Sequence, residues 1–547
     1  MTTAALSAPD SPTWRDDLGA VMTGPRGLPE RTLGWDVLAW TATRLYQPDG
    51  PDAGQLWRAT PEQVRHILWW YAVDGRGRFV YRRSVLRRAK GWGKDPLAAC
   101  LSLVELLGPC RFGGWNAAGQ PVAVPHPSPW VQIAATSEAQ TVNTMSLILA
   151  MVEYGSLVDD YALDVGKTLI YTATGRLHAV TSSPRSLEGP RPTYVVLGEP
   201  QHWVPSNEGR AMAEVIRRNL GKSRDGSARS TEIGNAHQPG EESVAETSYE
   251  AWLAMVEGRA RDTGVLYDSR EAPPETDMSD PSSLRAGLRA AYGDSHWVDL
   301  DRVMAEIWDP ATPPSVSRRY YLNQVSAPED AWTTAHEWDT CATEERLAPG
   351  DTVVVGFDGS KSEDATAIVL CRLSDGLCDL AGIWERPDGP AADGWQVPRG
   401  DVDATMDHLV ERYDVAAMYC DVAWWESYID MWSVQFADTL RLKASTKSAV
   451  GWDMRSRQKD FVLRGAENTL AAISDATLKH TGHSALRRHV LNARRRPNRW
   501  GLGFGKEHRS SARKVDALAA LCLARIARQD VLASGAGHAR SGEVWMF

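Results

Sequence analysis

Three short runs of β-branched and apolar residues each stop on a carboxylate: Thr193-Tyr-Val-Val-Leu-Gly-Glu199, Val353-Val-Val-Gly-Phe-Asp358 and Val415-Ala-Ala-Met-Tyr-Cys-Asp421. Runs that are apolar at nearly every position suit strands covered on both faces by helices. Around them the first half alternates strand candidates (Trp130 to Ala134, Leu177 to Thr181, Tyr194 to Leu197) with helix candidates (Pro96 to Leu107, Ala139 to Tyr154, Gly209 to Asn219). That alternation predicts an α/β fold with a mostly parallel sheet. At roughly 150 residues per domain, the length allows several domains. The pattern divides it into a tail and lead-in over 1–50, an α/β core over 51–260, a connection over 261–345, a second α/β unit over 346–530 and a tail over 531–547. The connection is read as irregular because it carries Pro273, Pro274, Pro281, Pro310, Pro313 and Pro314, with one helix around Leu300 to Ile307. Regular pattern resumes at Thr352 to Phe357 and Ala367 to Arg372, and the last helix is expected over Ala512 to Ala527.

Several classes fall away on composition. No apolar run reaches the roughly 18 residues that a bilayer crossing needs. Met1 to Trp14 has neither a basic start nor an apolar core, so it reads as a short tail and not as a signal peptide. Seven cysteines, an odd number with no CxxC pair, argue against a disulfide framework or a structural zinc and for a reducing cytosol. A net charge of −10 speaks against nucleic acid, but ten Lys or Arg against the single acid Glu507 lie between Arg487 and Lys514. That stretch offers one face to a polyanion, although a solvated charged surface accounts for it equally well.

Arg88-Ala-Lys-Gly-Trp-Gly-Lys94-Asp95 precedes a helix whose first turn contains Pro96. A phosphate-binding loop needs backbone N–H groups curled round phosphate oxygens, a lysine on the β- and γ-phosphates and an oxygen on Mg2+. Gly91 and Gly93 permit the close backbone approach, and Lys94 is the phosphate lysine candidate. Arg88 stands where the first glycine is usual and Asp95 where Ser or Thr is usual, so an ordinary turn before a helix remains the plain alternative. Glu199 stands at a strand end, where ATPases keep the acid that orients attacking water. Gly198 replaces the metal-binding Asp there, and a buried strand turning at Pro200 is the rival reading. Order and spacing favour the functional one: the loop and helix come first, then Val131 to Thr136, then Ser182-Ser183-Pro184-Arg185, then Glu199. Asp95 is a candidate replacement for the missing metal ligand.

In the second half, Asp358 ends an apolar strand that a hairpin entered through Asp364-Ala-Thr366 continues, and Asp421 ends another strand. Asp516 lies in the first turns of a helix whose Val515, Leu518, Cys522 and Ile526 follow helical spacing. Hard divalent cations want oxygen ligands, and two-metal phosphodiester cleavage needs several carboxylates converging. Two neighbouring strand ends and an inward-facing helix acid supply them in ribonuclease-H-like nucleases. Any one acid alone reads as a solvated strand end or helix cap.

Taken together, the deviant loop with Arg88, the strand ending in Glu199 and the Asp358/Asp421/Asp516 set resemble the large terminase subunit of tailed bacteriophages. Arg318-Arg-Tyr-Tyr-Leu-Asn-Gln324 with Trp332 and Trp338 looks like the family's join between ATPase and nuclease. His480 to Asn492 and Arg513 to Leu518 also look like family segments, so the resemblance spans residues 55 to 530, nearly the whole chain. It implies a P-loop ATPase domain of the ASCE type followed by a ribonuclease-H-like nuclease. It further implies Lys94 on the phosphates, Arg88 as an arginine acting in cis, Glu199 as the catalytic glutamate, and Asp358, Asp421 and Asp516 as metal ligands. Asp364 would at most support them. Gln63 resembles the family's adenine-contacting glutamine, although a surface helix glutamine fits as well, and Thr231 to Ala236 falls where the coupling segment lies. A trans-acting arginine is expected, with no motif to single one out. The implied cofactors are ATP with Mg2+ and two divalent ions, Mg2+ or Mn2+, in the nuclease. The implied partners are double-stranded DNA, the portal protein of a procapsid, a small terminase subunit and further copies in a ring, a pentamer when packaging, in the host cytoplasm and at the portal vertex, with no membrane. ATP hydrolysis would push DNA, the nuclease would cut concatemers, and its access would be restrained until filling ends. Two rivals stand beside this reading: a stand-alone ribonuclease-H-like nuclease or transposase, and a packaging docking component whose ATPase has decayed.

Overall fold

The computed structural model of the chain describes residues 13–181, 184–326, 330–361, 364–387, 394–507, 511 and 513–536. The start of the N-terminal tail, Ser182 and Ser183, Ala512, Arg509 of the basic stretch and the end of the C-terminal tail lie outside the described residues. The chain divides into two compact units, one formed by Met1–Gln238 with Glu242–Ser326, the other by Pro239–Glu241 with Ala327–Phe547.

The strands of the first unit are β1 (Thr13–Arg15), β2 (Val21–Thr23), β3 (Arg83–Arg87), β4 (Pro109–Trp115), β5 (Pro121–Pro125), β6 (Trp130–Ala134), β7 (Asp164–Val165), β8 (Leu169–Tyr171), β9 (Arg176–Val180), β10 (Tyr194–Gly198), β11 (Arg229–Gly234) and β12 (Val265–Glu271). Ten of them form one sheet in the order β1-β2-β12-β3-β11-β10-β6-β9-β8-β7, and β4 and β5 make a separate hairpin. From β12 to β9 all neighbours run parallel, and antiparallel strands close both edges. The helix Lys94–Leu107 is buried along nearly its whole length. Its Leu97, Leu101 and Val104 share the main core with Val131, Ile133, Val196 and Ile233 of the sheet. β11 lies between β3 and β10. One strand therefore separates the strand that feeds the loop from the strand that leads to Glu199, as expected of the ASCE class.

The domain limits read from the sequence need correction. The units part after Ser326, not near residue 345, and the proline-rich stretch belongs to the first unit. It contains β12, paired in parallel with β3, and the helices Pro281–Tyr292, Leu300–Ile307 and Pro314–Tyr320. Pro281 and Pro314 sit in the first turns of their helices. There a missing N–H removes nothing from the helix and the fixed φ favours starting it, so these prolines begin elements where the sequence suggests irregularity. The lead-in over 1–50 is likewise not merely a tail: β1 and β2 extend the sheet and Gly34–Arg44 is a helix. Trp332 and Trp338, read as the join, are buried in a core of the second unit.

The second unit holds β13 (Thr352–Asp358), β14 (Thr366–Arg372), β15 (Leu377–Trp384), β16 (Asp414–Cys420), β17 (Lys479–His480), β18 (Arg494–Asn498) and β19 (Gly501–Gly505). Its sheet runs β16-β13-β14-β15-β17, with β13–β14 and β14–β15 antiparallel and β13–β16 parallel. β18 and β19 form a hairpin. The helix Asp516–Ala533 packs on β13, β14 and β16, and its Leu518, Leu521, Cys522 and Ile526 enter the core. All seven cysteines are buried thiols. No helix among the described residues is long and apolar enough to cross a membrane.

Candidate active sites

The loop site is built where β3 hands over to the helix Lys94–Leu107. Gly91 and Gly93 have φ of +87° and +96°, a region that L side chains rarely adopt, so glycine is required at both. They turn the loop so that Lys94, at the start of the helix, reaches the end of β10. Its ammonium is 3.1 Å from a Glu199 carboxylate oxygen and 3.3 Å from Asp95 Oδ2. Burial works against the ammonium, but Asp95 and Glu199 more than offset it and hold the Lys94 pKa above its ordinary value. Glu199 adopts φ +53°, ψ +54°. For a residue with a Cβ this left-handed conformation costs about 1–2 kcal/mol, and such strain gathers at functional sites. Its amide donates to Ile233 O at 2.8 Å, and the Gln201 amide bonds its second carboxylate oxygen. Gly198, in the place of the usual metal-binding acid, accepts at its carbonyl from Trp203 Nε1 at 2.8 Å.

Gln63 is buried in the first turn of the helix Pro61–Trp70, where it forms a capping box with Thr60. The surface position that the sequence leaves open is thereby excluded. The Gln63 Nε2 lies 3.4 Å from the point where a Cβ on Gly93 would stand. Thr231 to Ala236 begins within β11 and leaves the sheet at its C-terminal end. Arg88 differs from the expectation of an arginine facing the phosphates. It is fully buried, with Nη2 2.7 Å from Asp268 Oδ1 and Nη1 donating to Asp268 O at 2.8 Å, and it stacks over Trp92. Asp268 also holds Arg65 at 2.7 Å and His66 at 2.9 Å. A guanidinium so engaged braces the base of the loop. The sequence reading misses Asp268, yet Val265-Leu-Tyr-Asp268 has the same apolar-run-then-acid form as the three runs that open it.

In the second unit, parallel pairing of β13 with β16 sets Phe357 beside Cys420 and brings Asp358 and Asp421 to neighbouring strand ends. The Asp421 amide donates to Phe357 O at 2.9 Å, and Asp421 Oδ1 accepts from the Met454 amide at 2.9 Å. Asp516 opens its helix, and together with Asp358, Asp364 and Asp421 it lines a cavity of about 680 Å³ with Arg455 and Arg496. Burial, then Asp516 and Asp421, push the Asp358 carboxyl well above its ordinary range, and burial raises Asp421. The expectation is that Asp358, Asp421 and Asp516 hold two ions; all three line the same cavity, and among the described residues no group of three His, Cys, Asp or Glu forms a ready-made metal site. The donor set still suits hard divalent ions: all are oxygens, and Asp516 Oδ2 is buried with no hydrogen-bond partner.

Asp364 is paired with Lys506 and, at 3.2 Å, with Lys514. The basic stretch is not one uniform face. Arg494 is buried and donates to the carbonyls of Leu491, Asn492 and Ala493, Arg487 pairs with Asp339, and Arg488 with Glu385. Arg496 is among those that reach the cavity. His489 has no individual role in the sequence reading. It is fully buried, its Nδ1 accepts from the Ala517 amide at 3.0 Å, and its Nε2 is 3.0 Å from Glu385 Oε1. It therefore anchors the helix one residue beyond Asp516.

No family model matches the chain. The gene 13 protein of Mycobacterium phage L5 is 41% identical over 98% of this chain and 96% of its own length. The gene 13 protein of Mycobacterium phage D29 is 41% identical over 94% of each. Among solved structures, the large terminase of bacteriophage HK97 is similar with a TM-score of 0.49 and 17% identity, covering 91% of this chain and 100% of that one. The large terminase of a thermophilic bacteriophage is similar with a TM-score of 0.33 and 11% identity, covering 87% of this chain and 100% of that one. In the first unit Lys94 faces Glu199, in the second three aspartates line one cavity, and the chain belongs to the family of the mycobacteriophage gene 13 proteins.

Proposed function

We propose that the first unit hydrolyses ATP to drive double-stranded DNA into a procapsid and that the second cuts concatemeric DNA with divalent ions. The observation that carries this reading is the Lys94–Glu199 pair at 3.1 Å, formed between a glycine-turned loop and a strand end two strands away. A triphosphate in the loop would take over the Lys94 ammonium, which its two carboxylates now neutralise. Glu199, released from that pair, would orient the attacking water, and the loop amides with Lys94 would offset charge on the γ-phosphate. Asp95 would hold the Mg2+ of the nucleotide in place of the usual hydroxyl. With Arg88 engaged by Asp268, the arginine that completes the site is to be sought on a neighbouring copy in the ring.

In the second unit Asp358, Asp421 and Asp516 would hold two divalent ions, Mg2+ or Mn2+, which lower the pKa of water and neutralise the leaving oxygen. Arg455 and Arg496 would seat the phosphodiester, and Lys506 and Lys514 would keep Asp364 neutralised at its edge. The chain would work in the host cytoplasm, as a ring that docks at the portal vertex on the portal protein, with a small subunit presenting DNA. The test is separability. Lys94→Ala should abolish DNA-stimulated ATP hydrolysis and leave Mn2+-dependent plasmid nicking, and Asp421→Ala should do the reverse. Wild-type chain that nicks DNA but never hydrolyses ATP would favour the stand-alone nuclease. Absence of ATP affinity with Mg2+ present would favour the decayed docking component, for which Gly198 is the one structural argument.

A further inference from the structure

Behind the loop, one short segment fixes its backbone. Tyr292 Oη donates to Lys90 O at 2.8 Å, Trp297 Nε1 to Gly91 O at 2.9 Å and Ser295 Oγ to Trp92 O at 2.9 Å. Three successive carbonyls are thereby satisfied, while the Lys90 and Trp92 amides donate to Tyr320 O at 2.7 Å and Ala89 O at 3.2 Å, so the loop backbone is held in one shape. Tyr292 and Ser295 are buried, as groups serving only to brace would be. Trp297 is 45% exposed. An indole that merely held a carbonyl would gain by covering its ring. Its six-membered ring instead lies across the loop, with Cζ2 2.8 Å from the point where a Cβ on Gly93 would stand, and Gln63 Nε2 is 3.4 Å from that same point. A half-open aromatic ring, fixed at one edge by its own N–H, therefore converges with a buried amide beside the glycine that precedes Lys94.

We propose that Trp297 is the stacking platform for the adenine base of the nucleotide, with the Gln63 amide at the base edge. The inference rests on the ATPase reading and adds to it a residue that contacts the substrate. A purine offers a wide π face, and a ring already held in one orientation loses little further freedom when a base settles on it. No side chain would fit at Gly93 without displacing this ring.

The experiment compares ATP with inorganic tripolyphosphate, which has the phosphates and no base, by equilibrium binding to the full-length chain. Trp297→Ala should weaken ATP by about tenfold or more and tripolyphosphate by less than about twofold, because only the base contact is lost. Trp297→Phe, which keeps a ring but not the N–H, should recover most of the ATP affinity. Equal weakening of both ligands would show that Trp297 acts only by holding the loop, and would overturn the platform. So would unchanged ATP affinity in Trp297→Ala, or a Phe variant as weak as the Ala variant. A wild-type chain that binds ATP no better than Lys94→Ala would instead overturn the ATPase reading, and the platform with it.

Discussion

Gly356 lies within β13 beneath the helix that begins with Asp516, and the close fit there sets where Asp516 stands in the proposed nuclease site. A Cβ on Gly356 would come within 2.0 Å of Ala520 O and 2.5 Å of Ala524 N. Both are main-chain atoms of the helix, so no rotamer change relieves the clash. In Gly356→Ala the helix has to retreat by about 1.4 Å, the gap between 2.0 Å and the 3.4 Å at which ordinary contact starts. Overpacking of this kind costs about 1–3 kcal/mol. Asp516 stands about one turn before Ala520 and moves with it, and a displacement near 1 Å from a reactive geometry lowers rate by about 100-fold. The assay is the initial rate of supercoiled plasmid nicking with Mn2+, taken well below the melting temperature, with ATP hydrolysis by the same preparation as an internal control. Nicking should fall by about two orders of magnitude while hydrolysis, proposed for the other unit, stays within about twofold. Nicking at the wild-type rate would refute the argument that helix-to-strand distance sets the position of Asp516.

Three further outcomes are expected. Asp268→Asn takes from Arg88 and Arg65 the carboxylate that both bond, with Glu62 3.7 Å from Arg88 Nε as the remaining acid, and the thermal stability of the first unit should fall by about 3–5 kcal/mol; an unchanged melting curve would remove Asp268 as the brace. Burial favours the neutral acid there, but Arg65 and Arg88 hold the Asp268 carboxyl well below its ordinary range. Its stabilisation is therefore complete above about pH 4 and lost as pH falls through the lower folded-state value, a dependence that the Asn variant should lack in an acid-unfolding titration. Glu199→Gln should cut single-turnover ATP hydrolysis by about 100-fold or more without weakening nucleotide binding, and hydrolysis near wild type would assign the water-orienting role elsewhere. His489→Ala frees the Ala517 amide and leaves Glu385 to Arg488 alone; it should raise the Mn2+ needed for half-maximal nicking by about tenfold and spare ATP hydrolysis.

What can be read from the sequence follows the strength of the local pattern. The strand Trp130–Ala134 and the helix Leu300–Ile307 fall where the pattern puts them, because each carries one clear periodicity between turn signals. The first unit's limits are misjudged when Pro281 and Pro314 are read as breakers, because a proline in the first helical turn is a start signal. The three aspartates are legible as strand-end and helix-start acids, and pairing of β13 with β16 makes two of them neighbours. The residues that hold these groups in place are not legible. Asp268 meets Arg88 across 180 positions, and His489 meets Ala517 across 28. Such partners are set by which strands and helices the topology makes adjacent, and no local pattern encodes them.

The two sites differ in how their carboxylates are compensated. At the loop, the buried ammonium of Lys94 is already neutralised by Asp95 and Glu199. On the proposed ATPase reading, a triphosphate would not fill an empty positive pocket; it would exchange with two carboxylates for one cation. Much of the Coulombic gain of binding would be cancelled by the contacts given up, so affinity would have to come from the loop amides and from contacts to the base. Release of Glu199 would follow from the same exchange, linking occupation of the loop to freeing the group proposed to orient water. In the second unit Lys506 and Lys514 pair with Asp364, and Lys506 also offsets part of the charge on Asp358. On the proposed reading, divalent cations would neutralise the remaining carboxylate charge of the cavity. Glu199→Gln separates these cases. By removing one of the two charges that hold Lys94, it should tighten ATP binding while leaving the Mn2+ requirement of nicking unchanged, and a variant that bound ATP more weakly than wild type would show that no such exchange takes place.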